Sequence, residues 1–174
     1  MKKIELLFEV AARQKEHQIM NKLSRFLLLW LFLLATPLAQ AENFSFQDTL
    51  GKTHTLAGYR GKWVLVNFWS TTCPACIDEI PDLVALHDKH HAKDLVVIGV
   101  AMDYREGKQV IRFADDYFIS YPIVLGNGKL ATQVGPVLAL PTTYLYDPQG
   151  KLVAQHTGAL TQKAVESYIA GKQR

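Results

Sequence analysis

The chemistry of this chain concentrates in Cys73-Pro74-Ala75-Cys76, which holds the only two cysteines among 174 residues. A buried-strand pattern precedes the motif and a helical pattern follows it, so the motif opens a helix. Cys73 falls at the capping position. Pro74 falls at the first helical residue, where a missing N–H costs nothing. The Cys73 sulfur can then accept from the free amides of Ala75 and Cys76, and the helix dipole adds to the preference for thiolate. Thiolate is the attacking form, so Cys73 is the expected nucleophile. Cys76 lies one turn on, on the face that carries Ile80 and Leu83, and is the expected buried, resolving thiol. Rival uses of the pair fit less well. A closed zinc site needs four ligands, and there is no second cysteine pair. His87, His90 and His91 read as a solvated helix end. A c-type haem site would need histidine where Ile77 stands. A static disulfide would close a loop too short to constrain the unfolded chain much. The expectation is a redox-active Cys73–Cys76 disulfide with no metal and no other cofactor. The alternatives are exchange in the opposite direction, as a disulfide-donating oxidase, and a non-catalytic redox-linked binding or chaperone module.

The elements around the motif read as one α/β domain. Trp63–Trp69 and Leu95–Ala101 are continuous apolar runs of strand length, the pattern of strands buried on both faces. Between them Cys76, Ile80, Leu83, Val84 and His87 recur at helical spacing. Strand, helix, strand at this spacing predicts a parallel pair with a right-handed crossover. A second helix is predicted over about 108–118, with Val110, Ile111, Ala114 and Phe118 inward. Tyr121–Leu125 contains Pro122 and reads as a short or edge strand. Gly126-Asn127-Gly128 is a turn before a short 129–134 helix. Thr142–Tyr146 and Lys151–Gln155 flank Asp147-Pro148-Gln149-Gly150, a type I turn signature, and so form a hairpin. Thr161 is placed to cap a last helix, with Ala164, Val165, Tyr168 and Ile169 inward and Gly171 as its stop. Residues 42–55 read as a small N-terminal hairpin. Trp69, ending the first buried strand, is expected to pack near the cysteine pair.

The N-terminus carries a targeting pattern. Lys22 and Arg25 precede the apolar run Phe26–Ala35, and Ala39-Gln40-Ala41 follows it. That order is a signal peptide over 20–41, with cleavage after Ala41 and export to the periplasm. An uncleaved anchor facing the periplasm is the alternative, although a span needs about 20 apolar residues. Residues 1–19 precede Met20 and read as an over-extended start or a short cytoplasmic segment. Residues 42–174 are then the domain. Residues 1–41 hold six of the 19 basic and three of the 16 acidic residues, which leaves 13 of each. A formally neutral domain lacks the basic footprint of a nucleic-acid binder.

The segment Val64-Leu-Val-Asn-Phe-Trp-Ser-Thr-Thr-Cys73-Pro-Ala-Cys76-Ile-Asp-Glu-Ile-Pro81 resembles the active-site segment of the TlpA/ResA/CcmG-like periplasmic branch of the thioredoxin superfamily. Val97–Asp103, Tyr121-Pro122, Gly135 and Leu140–Gly150 resemble that branch in the same order. The resemblance implies a thioredoxin-like fold with a central mixed β-sheet flanked by helices. It implies a thiol–disulfide oxidoreductase, commonly a reductase in cytochrome c maturation or metal-centre assembly. Its partners would be protein disulfide or dithiol clients and a membrane electron donor of the DsbD/CcdA type; a monomer is expected. It identifies Pro141 as a cis-proline facing the cysteine pair, which lays the Leu140 backbone beside the disulfide and offers an edge for an extended client. Trp69, Pro74 and Ala75 complete the expected client contact.

The branch pattern also places a glutamate at Glu79. Three residues after Cys76 it reaches the same end of the helix, where partial burial would bring it near neutrality as a general base or acid. The bland alternative is a solvated carboxylate that complements the helix N-terminus. There are departures from the superfamily. Asn67 stands where thioredoxins bury an aspartate, Thr72 where many relatives have tryptophan, and Pro74-Ala75 carries no charge. Peroxiredoxins share a similar segment, but their proline and threonine positions hold Val66 and Ser70.

Overall fold

The computed structural model describes residues 44–172. The signal-peptide pattern, residues 1–19 and the expected N-terminus at Glu42 lie outside the described residues. Among those described, no helix is long and apolar enough to cross a membrane.

The chain runs β1 (Ser45–Gln47), β2 (Thr53–Thr55), a 3-10 turn (Ala57–Tyr59), β3 (Trp63–Trp69), α1 (Pro74–His90) and β4 (Leu95–Ala101). It continues through α2 (Gly107–Asp116), β5 (Ile123–Leu125), α3 (Gly128–Ala131), β6 (Thr142–Tyr146), β7 (Leu152–Thr157) and α4 (Gln162–Lys172). β1 and β2 form the predicted hairpin, and the other strands form a mixed sheet in the order β5-β4-β3-β6-β7. β3 and β4 pair in parallel with Trp63 opposite Leu95, and β3 and β6 pair antiparallel with Phe68 opposite Thr142. Every residue of β3 and of β4 is buried, as their unbroken apolar runs require of strands covered on both faces.

Alternation along β3 divides the core. Val64, Val66 and Phe68 face a layer with Phe44, Phe46 and Tyr146. Leu65 and Trp69 face a layer with Cys76, Leu83, Leu86 and Val165. The hairpin therefore covers one sheet face, and α1 and α4 cover the other. Gly99 lets the second layer close: a Cβ there would lie 2.8 Å from the Tyr121 ring and 3.1 Å from the Trp69 indole nitrogen.

Three expectations are corrected. Phe118 is 84% exposed and Ile111 is exposed as well, so neither faces inward. α2 stops at Asp116, and the Phe118 and Ile119 amides donate back to the Asp115 and Ala114 carbonyls at 3.1 and 2.9 Å. This is a Schellman ending, with Phe118 at its left-handed position (φ 53°) and Ile119 turned back onto the core. In α4, Ala164 is exposed and the helix runs through Gly171 to Lys172. The histidines are not a uniformly solvated end. His87 is buried, its Nδ1 accepts from the Val97 amide at 3.3 Å, and its ring stacks on His91. Burial, then the neighbouring His91, pulls the His87 pKa down to about 4.

Candidate active site

The disulfide forms where strand β3 gives way to helix α1. Ser70 shapes the turn: its carbonyl accepts from the Cys73 amide at 3.3 Å, and its Oγ accepts from the Thr72 amide at 3.3 Å. Cys73 is then the N-cap of α1 and Pro74 opens the helix. The Cys76 amide donates to the Cys73 Sγ at 3.3 Å, one of the two amide contacts expected from the sequence. The two cysteines are joined, with Cα atoms 5.2 Å apart. Cys73 is half-buried beside exposed Pro74 and Ala75, whereas Cys76 is fully buried. A partner can therefore reach one sulfur and not the other.

β6 supplies the facing wall. Phe68 pairs with Thr142, which sets Pro141 across from Trp69 at the same end of the sheet. The Leu140–Pro141 bond is cis. Trp69 and Cys76 belong to one apolar cluster, against which both Cys73 and Leu140 pack. Trp69 is buried, so it supports the site from below and does not itself touch a client, and it packs on Phe113 of α2 with ring centroids 5.6 Å apart.

Glu79 is the buried acid beneath the pair. It lies one turn after Cys76 and is 2% exposed, so the solvated-face reading fails. Its Oε1 accepts from Asn67 Nδ2 at 2.7 Å, and its Oε2 accepts from the Leu160 amide at 2.9 Å. Asn67 also donates to Thr143 Oγ1 at 3.0 Å. Burial raises the Glu79 pKa against the pull of these donors, the charge of Asp82 adds to the rise, and the carboxyl settles at about 7. A group poised there takes or gives a proton readily at neutral pH. Asn67, which stands where thioredoxins bury an aspartate, is the clamp on the acid. The Leu160 amide carries no side-chain signal and could not be found by motif. Among the described residues, no group of three or more His, Cys, Asp or Glu side chains is arranged to hold a metal ion.

Fold and site together define a thioredoxin-fold thiol–disulfide oxidoreductase. The chain belongs to the AhpC/TSA family, whose model matches residues 37–155. It is similar to the thiol–disulfide oxidoreductase ResA of Halalkalibacterium halodurans, 35% identical over 130 residues, which cover 75% of this chain and 73% of that one. ResA of Bacillus subtilis is 36% identical over 132 residues, with 75% and 73% covered. Among solved structures, a DsbF homologue from Corynebacterium diphtheriae superposes with a TM-score of 0.68 at 25% identity, over 74% of this chain and 83% of that one. The ResA-like resemblance read from the sequence thus holds across the domain.

Proposed function

We propose that this oxidoreductase reduces protein disulfides outside the cytoplasm, with Cys73 attacking and Cys76 resolving. One observation carries the assignment of roles: Cys73 caps a helix at the surface while Cys76, one turn further on, is fully buried. In the dithiol form, Cys73 thiolate attacks a client disulfide, forms a mixed disulfide and releases one client thiolate. Glu79 accepts the Cys76 proton. Cys76 then attacks Cys73 Sγ, closes the protein disulfide and releases the second client thiolate. The client gains two electrons and, with solvent, two protons. The protein needs no cofactor beyond its own disulfide. The cis-peptide edge at Leu140 pairs with the extended client.

The direction rests on what is missing from the motif. A strong oxidant needs its reduced form strongly stabilised, and Pro74-Ala75 adds no positive charge to the helix amides. Export follows from the signal-peptide pattern over 20–41. A membrane dithiol donor of the DsbD/CcdA type would restore the dithiol. Clients of cytochrome c maturation or metal-centre assembly suit such a reductase, and the domain acts as a monomer. The family match does not extend the proposal to peroxide reduction, because Val66 and Ser70 occupy the positions where that chemistry's proline and threonine would stand.

The test is trapping. Cys76→Ser should accumulate mixed disulfides with clients, since attack proceeds and resolution cannot. Cys73→Ser should trap few. Equal trapping by the two variants would refute the roles.

A further inference from the structure

The loop that leads into Pro141 carries an exposed apolar side chain three residues before the cis-proline. Pro136-Val137-Leu138-Ala139-Leu140 is five apolar residues in a row. Val137 and Leu140 pack into the core. Leu138, between them, is 95% exposed. A lone exposed leucine is ordinary, but this one is held in place. The Tyr144 hydroxyl donates to the Pro136 carbonyl at 2.6 Å, and the Thr142 hydroxyl donates to the Ala139 carbonyl at 2.7 Å. Both pins rise from β6 and grip the loop on either side of Leu138. Gly135 makes room for the first pin, since a Cβ there would stand 2.6 Å from the Tyr144 oxygen. Pinning spares the ordering cost that a floppy loop would meet on binding.

Position gives the exposed leucine its meaning. Pro141 stands across from Trp69, four residues before Cys73, and Leu140 packs on the cluster that holds Cys76 and against which Cys73 also packs. Leu138 is two residues away, a reach of roughly 7 Å along an extended chain. The exposed residues that flank it in the loop, Pro136 and Ala139, carry no charge, and neither do Pro74 and Ala75 between the cysteines.

We infer that Leu138 is a specificity residue: it selects clients with a large apolar side chain one to three residues from the reacting cysteine. The inference rests on the exchange reaction proposed above and names its substrate class. It holds whichever way electrons flow, because the same mixed disulfide forms in both directions.

The test uses two synthetic peptide dimers, each joined by one symmetric disulfide. In one, leucines flank the cysteine at the first and second positions on both sides; in the other, serines do. Protein reduced with dithiothreitol and freed of reductant is mixed with each, and one turnover is followed. Each turnover converts protein dithiol and one dimer into protein disulfide and two peptide thiols. The wild-type protein should react about tenfold faster with the leucine dimer, the discrimination one apolar contact typically provides. Leu138→Ser should bring the ratio close to one, and Leu138→Met should keep it. A wild-type ratio near one would overturn the inference, as would a ratio undiminished in Leu138→Ser. Failure of both dimers to react would instead bring down the exchange reading, and this inference with it.

Discussion

Two buried carboxylates, one under the disulfide and one in the N-terminal hairpin, are pushed in opposite directions. At Glu79 burial wins: its donors are one neutral amide side chain and one backbone N–H, and its pKa rises to about 7. At Asp48 burial also pushes upward, but three donors outweigh it. His54 Nε2 lies 2.7 Å from Oδ2, and the Leu50 and Lys52 amides each donate to Oδ1 at 2.9 Å, so the pKa falls below its ordinary value. Tyr59 holds the other nitrogen of His54. Burial alone therefore does not make an acid reactive. The number and kind of donors decide whether a buried carboxyl stays charged as a structural cap or titrates where chemistry happens.

The largest effect that could break this contrast is on stability against pH. For Glu79 the folded pKa is raised, so its contribution is most favourable below about 4.5 and is lost as pH rises to about 7. Glu79→Gln should be the more stable protein above pH 7, by on the order of 3 kcal/mol, with the gap closing below pH 4.5. His87 works the other way. Its folded pKa is depressed, so its contribution is intact above 6.5 and is lost as pH falls towards 4. The two slopes oppose each other in the wild type, and Glu79→Gln should expose the His87 slope. Urea unfolding at stepped pH measures both.

Next in size is the rate. Loss of a general base typically costs about 100-fold or more. Glu79→Gln should slow single-turnover reduction of a client by at least that factor at pH 7 and remove the inflection near 7 from the pH–rate profile. An unchanged profile would leave Glu79 with a structural role only.

The smallest effect sharpens the other half of the contrast. Asp48→Ala removes two caps on the hairpin turn and leaves His54 without its carboxylate. It should cost about 2 kcal/mol of stability and leave the exchange rate as it was. A slowed exchange would mean that the hairpin carboxylate shares in the chemistry.

Much of this arrangement was legible in the chain, and the boundary of legibility is physical. The β3–α1–β4 unit announced itself because strands covered on both faces must be apolar throughout. Cys73, Pro74 and Cys76 could be placed because caps and first-turn prolines obey local rules. Glu79 could be placed on the inner face because helical spacing sets it one turn from Cys76. What the sequence hid is made by contacts between distant segments. Asn67 of β3, itself held by Thr143 of β6, and the Leu160 amide ahead of α4 meet Glu79 from distant parts of the chain. Asp48, His54 and Tyr59 come together only once the hairpin closes. Phe118 misled because nothing local marks it as the left-handed end of α2; glycine or asparagine would have.

The central claim, an acid under the disulfide tuned to neutrality, is tested most directly by titrating the Glu79 carboxyl itself. Carbon-13 NMR of the side-chain carboxyl, assigned by comparison with Glu79→Gln, follows it from pH 3 to 9. The expected midpoint is about 7. A midpoint near the ordinary glutamate value of about 4.3 would contradict the account, because Glu79 would then be charged at every pH where the enzyme works.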